Sequence, residues 1–174
     1  MIVMRRVLVV GSSGAGKSTL AREIARRRGL RHIELDALFH GPGWTPRESF
    51  VDDVRRETEG DDWVADGNYA PVSERLWSRA DTIVWLDLPR WLTEAQVIWR
   101  SLLRWVRDEE LWNGNRERGP IGWLDPEHPI RWSWSKHPQY GARYGARFAD
   151  PAFAHTRRVR LHSRDDVRRF IASL

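Results

Sequence analysis

Eight consecutive residues constrain this chain more than any others: Gly11-Ser12-Ser13-Gly14-Ala15-Gly16-Lys17-Ser18 fits the pattern G-x-x-x-x-G-K-[ST] with no mismatch. The pattern carries meaning only between a strand and a helix. Val7-Leu8-Val9-Val10 before it is a β-branched apolar run of buried-strand length. After it, Leu20, Ala21, Ile24 and Ala25 recur at helical spacing, and Gly29 stands where a helix C′ residue belongs. Glycines let such a loop wrap an anion without Cβ clashes, and successive N–H groups at a helix N-terminus face phosphate oxygens. The expected phosphate contacts are Gly11, Ser13, Gly14, Ala15, Gly16, Lys17, Ser18 and Thr19, with Lys17 on the β- and γ-phosphates and the Ser18 hydroxyl on Mg²⁺.

Composition sharpens that reading. Of 29 basic residues, Lys17 and Lys136 are the only lysines and 27 are arginines. A chain that uses arginine almost everywhere still has lysine where the motif calls for a compact ammonium. The net charge of +5 admits a nucleic-acid surface or a pocket for polyanionic small molecules. The eleven tryptophans are scattered, which favours core or lid packing over stacking platforms. With no cysteine, disulfides and thiolate chemistry are excluded. Met1 to Arg6 does not read as a secretory signal, and Trp91 to Val106 carries Glu94, Arg100 and Arg104, which argues against a membrane span. At 174 residues, one soluble cytoplasmic domain is expected.

Along the chain, Arg31 to Asp36 alternates like a half-covered strand and ends in an acid. Thr45-Pro46-Arg47-Glu48 reads as N-cap, N1 and N3 of a capping box. Trp63 to Asp66 is a third strand ending in an acid, followed by Gly67-Asn68-Tyr69. Thr82 to Asp87 is a fourth, wholly apolar before its acid. Asp87 either serves a site or caps the next helix. Pro89 opens a long helix expected to turn Trp91, Leu92, Ala95, Ile98, Trp99 and Leu102 to the core. Its opposite stripe is Gln96, Arg100, Arg104 and Arg107. Trp132 to Phe148 reads as helix interrupted at Pro138, Asp150-Pro151 as a cap, Arg158 to His162 as a fifth strand, and Ser163 as the cap of a last helix. His32, His40 and His162 read as ordinary polar residues. Strands one and four are continuously apolar and hence central, two and five alternate like edges, and the right-handed crossover rule then favours a parallel order 2-3-1-4-5.

Leu35-Asp36-Ala37-Leu38-Phe39, Asp66-Gly67-Asn68-Tyr69, Leu86-Asp87-Leu88-Pro89-Arg90-Trp91 and Leu111-Trp112-Asn113-Gly114-Asn115-Arg116 make the chain resemble the P-loop nucleotide kinases. Within them it is most similar to the adenylate-kinase-related group often labelled DNA topology modulation proteins. The resemblance implies an α/β three-layer sandwich around a five-stranded parallel sheet, with an acceptor-binding insertion at about 39–60 and a helical lid at about 104–147. It implies ATP and Mg²⁺, with Asp66 in the metal shell and Asp36 at the acceptor hydroxyl or the metal waters. Arg100, Arg104 and Arg143 fall where lid arginines meet the transferring phosphoryl group. Arg107, Arg116 and Arg118 are either solvated lid charges or further phosphate contacts. Sequences of the group it resembles commonly carry an arginine one turn before Arg100, where this chain has Gln96. Transfer of the ATP γ-phosphate to a small-molecule acceptor is the expected function, in a monomer or homodimer. A P-loop NTPase that binds nucleic acid is the alternative.

Overall fold

The structure is a computed structural model and describes residues 4–107, 110–115 and 129–174. Five strands form one parallel sheet: β1 (Arg6–Gly11), β2 (Arg31–Glu34), β3 (Trp63–Asp66), β4 (Thr82–Leu86) and β5 (Arg157–Leu161). Their order is β2-β3-β1-β4-β5, as strand composition predicts. Every paired register is parallel, from Val9 opposite Asp66 to Val84 opposite Val159.

Alternation along the central strands builds two cores. Leu8 and Val10 of β1, Ala65 of β3, and Ile83 and Trp85 of β4 face one side of the sheet. There they pack with Phe50 and Val54 of α3 (Phe50–Glu57), Leu76 and Trp77 of α4 (Ala70–Arg79), and Tyr140 and Tyr144 of α6 (Pro129–Ala149). Val7, Val9, Val64, Val84 and Leu86 face the other side. They meet Leu20, Ala21 and Ile24 of α1 (Lys17–Arg28), Leu92 of α5 (Arg90–Val106) and Phe170 of α7 (Arg164–Ala172). Helices on both faces are what an all-parallel sheet requires. The outcome is a three-layer α/β sandwich. Gly29 ends α1 in the left-handed conformation, its N–H bonded to Ala25 O. Ser163 and Asp166 close a reciprocal capping box on α7. Among the described residues no helix is long and apolar enough to cross a membrane.

Four local expectations are corrected. Strand β2 stops at Glu34, and Asp36 sits in a short helix, α2 (Leu35–Phe39), so the turn past the strand presents it. No capping box forms at Thr45, whose hydroxyl instead donates to Pro42 O at 2.8 Å while α3 begins after Ser49. Helix α6 runs through Pro138 without a break. Helix α5 buries Leu92, Thr93, Glu94, Val97 and Ser101, whereas Trp91, Ala95, Ile98 and Trp99 face outward. The half-buried side therefore carries Gln96, Arg100 and Arg104. The reason is contact with the Gly11–Ser18 loop: the polar stripe has charged work to meet there, and the apolar stripe is left outside. Of the tryptophans whose burial the structure describes, Trp63, Trp77 and Trp85 are core, Trp44 is half-buried, and Trp91, Trp99, Trp105 and Trp134 are exposed.

Candidate phosphate and acceptor site

The Gly11–Ser18 loop leaves β1 and enters α1 as the motif requires. Helix α5 lies directly on it. A Cβ at Gly14 would come 2.6 Å from Thr93 O and collide with Val97 Cγ2, and Gly14 has φ +75°. Only glycine fits both demands. Gln96 follows on the same helix. With the amide turned so that oxygen and nitrogen exchange places, the orientation that satisfies both, its nitrogen donates to Gly14 O at 2.5 Å and its oxygen accepts from Arg164 Nη2 at 3.0 Å. Gln96 thus ties the loop to the start of α7.

Lys17 Nζ donates to Ser12 O at 2.9 Å. Part of the side chain remains exposed, but burial of the ammonium lowers its pKa, Asp36 and Asp66 oppose that shift, and Arg100 adds to it. Two acids and one arginine named from the sequence therefore lie within electrostatic reach of Lys17. The Ser12 hydroxyl is buried with no hydrogen-bond partner in the protein, an orphaned donor at the loop. That orphaned hydroxyl fits a loop shaped for an anion.

Each residue of Asp66-Gly67-Asn68-Tyr69 has its own task. Asp66, buried at the end of β3, accepts from Ser18 Oγ at 2.5 Å through Oδ2 and pairs with His32 Nε2 at 2.7 Å through Oδ1. Gly67 has φ +148°, and a Cβ there would stand 2.9 Å from Leu35 Cβ. Asn68 Nδ2 donates to Gly11 O at 2.7 Å while its Oδ1 accepts from the Tyr144 hydroxyl at 2.5 Å, so α6 is tied to the loop. Tyr69 donates its hydroxyl to Asp36 Oδ1 at 2.6 Å. Burial, then the Asp36 carboxylate, push the Tyr69 phenol well up, so it stays a donor. Burial likewise raises Tyr140 and Tyr144.

Around Asp36 stands an aromatic cluster. Phe39 and Tyr69 centroids are 4.5 Å apart, and His40 meets Trp44 edge-on at 5.2 Å. Burial lowers the pKa of His40, against the Asp36 carboxylate. Trp44 has φ +61°, a strained conformation for a bulky residue. It is held by buried Asn115, whose Oδ1 accepts from Trp44 N at 3.0 Å and whose Nδ2 donates to Gly41 O at 2.9 Å. Asn113 adds a bond to His40 O.

Among the sequence candidates, then, the structure gathers the loop, Lys17, Ser18, Asp36, Asp66 and Arg100. Arg143 lines a cavity with Gly67, Asn68, Tyr69 and Tyr144. Arg104 follows Arg100 one turn later, half-buried on the same face of α5. Ser13 is half-buried, Ala15 buried and Thr19 exposed on the first turn of α1. Arg107 is exposed, and Arg116 and Arg118 lie outside the described residues, as does part of the expected lid at 104–147. Asp87 caps no helix; it accepts from Arg160 Nη2 at 2.6 Å, with His162 Nδ1 3.3 Å away. Nothing in the sequence pattern assigned a contact to His32, Gln96 or Asn115, or linked Tyr144 to Asn68. The position of His32, opposite Val64 in the strand beside Asp66, was the one available signal.

For a divalent cation the donors at hand are the Ser18 hydroxyl and the Asp66 carboxylate. Among the described residues no three His, Cys, Asp or Glu side chains gather to cage an ion. Two hard oxygens without a cage fit Mg²⁺, which keeps waters and is completed by substrate phosphates.

No protein-family model and no curated protein matches the chain. Solved structures do. A shikimate kinase from Bacteroides thetaiotaomicron superposes with TM-score 0.54 at 15% identity, covering 98% of this chain and 96% of that one. A gluconokinase from Sinorhizobium meliloti 1021 gives TM-score 0.51 at 14% identity, over 98% and 95%. The element order, the sheet order and the loop between β1 and α1 give the chain the P-loop kinase fold.

Proposed function

We propose that the chain is an ATP-dependent phosphotransferase acting on a small-molecule acceptor of the nucleoside, nucleotide or related metabolite class. One observation carries the reading. Two carboxylates within electrostatic reach of Lys17 are held by different partners: Asp66 is committed to the Ser18 hydroxyl, and Asp36 is held by Tyr69 among aromatic rings. A nucleotide hydrolase or switch needs the first acid, whereas a second, separately held acid suits an acceptor hydroxyl.

In this reading the Gly11–Thr19 loop binds the ATP phosphates. Ser18 and Asp66 hold Mg²⁺, which when bound screens the phosphate oxygens and steadies the developing charge. For a hydroxyl acceptor, Asp36 orients the hydroxyl and takes its proton as the new oxygen–phosphorus bond forms and the bond to the departing ADP breaks. Arg100, with Arg104 and Arg143, supplies positive charge to the transferring group. Residues 39–60 form the acceptor side, residues about 104–147 the cover, and the cytoplasm is the setting. The names of the two solved kinases favour a small acceptor over a macromolecule.

The test is to incubate the protein with γ-labelled ATP and Mg²⁺ against nucleosides, nucleoside monophosphates and small phosphorylated or hydroxylated metabolites. Label on one acceptor class, with little free phosphate, is the expected result. Free phosphate alone, released faster with DNA or RNA and suppressed steeply by salt, would replace this reading with a nucleic-acid-dependent NTPase.

A further inference from the structure

Helix α5 has two working faces, and only one meets the phosphate loop. On the other, Trp91, Ala95, Ile98, Trp99, Leu102, Trp105 and Val106 make a continuous stripe with no charged member. Trp91 is 70% exposed, Trp99 62% and Val106 67%; Ile98 and Trp105 are also exposed. From ordinary side-chain areas the face comes to about 650 Å², at or above the largest apolar patch of a typical monomer. Arg90 stacks on exposed Trp134 at one end, 3.6 Å from the ring, and extends the apolar margin onto α6.

We infer that this face of α5 is a homodimer interface, filled by the same face of a second copy packed antiparallel across a two-fold axis. The inference does not depend on the proposed function. Three observations select a second copy. First, the apolar positions recur at sevens: Trp91, Ile98 and Trp105; Ala95 and Leu102; Trp99 and Val106. Such a seam fits a straight helix of like pattern, as long as itself, about 22 Å. Antiparallel pairing brings Trp91 opposite Val106 of the second copy and places Ile98 and Trp99 at the axis, which is the self-complementary arrangement a two-fold interface needs. Second, two such faces fully covered bury roughly 1,300 Å², at the low end of the range of stable protein interfaces. Third, the charges are elsewhere. In a chain of net charge +5, Arg100 and Arg104 turn to the opposite side of α5. Two copies can therefore join their stripes without burying a charge, and the cations Arg90 and Arg107 stay at the two ends of the face, outside the seam. A lipid surface is a poorer fit, because the basic side of this helix, which should meet anionic headgroups, is turned into the protein.

The experiment uses the full chain in sedimentation equilibrium, from micromolar concentration upward. The expected mass is twice 20.4 kDa, falling to the monomer for Trp99→Glu and Ile98→Glu with helical content retained by circular dichroism. A second arm needs no disruption: because the chain has no cysteine, Ile98→Cys introduces a single thiol beside the axis. Mild oxidation should link Ile98→Cys into a covalent dimer and leave Arg22→Cys, on exposed α1 surface, as monomer. A chain that stays monomeric at every concentration with no cross-link at position 98 overturns the proposal. So does a dimer that neither Glu substitution weakens. A monomer that floats with phosphatidylcholine–phosphatidylglycerol vesicles, and loses that with Trp99→Glu, would assign the face to lipid instead.

Discussion

The Tyr69 hydroxyl donates to Asp36 Oδ1 at 2.6 Å, joining the last residue of Asp66-Gly67-Asn68-Tyr69 to the acid presented by α2. That bond fixes the carboxylate rotamer, and the raised phenol keeps the donor protonated through any working pH. Tyr69→Phe should therefore lower kcat for acceptor phosphorylation by roughly ten- to a hundredfold, the worth of a hydrogen bond to a charged group. ATP binding, read as a nucleotide-induced thermal shift, should hardly change. Equal loss of both would place Tyr69 in the ATP site rather than on the acceptor side.

Lys17→Met should abolish nucleotide turnover and raise Tm. Burial lowers the folded-state pKa of Lys17 below the ordinary 10.5. Below its folded pKa the protonated lysine therefore costs the folded state stability. As pH climbs from there toward 10.5 the unfolded chain binds the extra proton, so the cost shrinks. The advantage of the methionine variant in thermal melts should be largest near neutrality and narrow at alkaline pH. A variant that melts below wild type at pH 7 contradicts the buried-ammonium account.

Asp66→Asn and Asp36→Asn should part company in a Mg²⁺ titration of phosphoryl transfer. Asp66 holds the Ser18 hydroxyl at 2.5 Å, so its loss should shift half-saturation to higher Mg²⁺. Asp36→Asn should leave that midpoint in place and depress the plateau, by about two orders of magnitude or more for a lost general base. Superimposable titrations would mean that the two acids share one role.

Gly14→Ala tests the seat of α5 on the loop. The new methyl would meet Thr93 O at 2.6 Å in a left-handed backbone, and overpacking of this kind costs about 1–3 kcal/mol. Urea unfolding should show a lower midpoint, and the ATP-induced thermal shift should be lost, since helix or loop must move. Gly43→Ala is the comparison: it is also left-handed, but a Cβ there meets nothing within 4 Å, so it should keep the ATP response.

Much of this molecule is written locally. The run Val7–Val10, the glycines of the loop, and the helical spacing of Leu20, Ala21, Ile24 and Ala25 specify strand, turn and helix through neighbours a few residues apart. The sheet order follows too, because the covered strands β1 and β4 run apolar through Val7–Val10 and Ile83–Leu86 whereas the edge strand β5 is largely exposed. Asp66 could be placed at the end of its strand for the same reason. Asp36 could not: Leu35 leaves the alternation for a turn of helix and fills a gap over Gly67, a contact between residues far apart in sequence.

The orientation of α5 shows where local pattern runs out. Its sequence has an apolar side and a basic side, and periodicity alone sends the apolar side inward. The sequence determined that two such faces exist and how they are spaced. Tertiary structure decided which way they point, because the helix docks on the Gly11–Ser18 loop through Gly14, Thr93 and Val97, and that contact turns Gln96 to Gly14 and brings Arg100 within electrostatic reach of Lys17. Burial pattern depends on what a helix packs against, and here it packs against an electrostatic site. The pairings His32–Asp66, Tyr144–Asn68 and Asn115–Trp44 join residues 34, 76 and 71 positions apart. No local period encodes such partners; only the closed fold brings their donors and acceptors within reach.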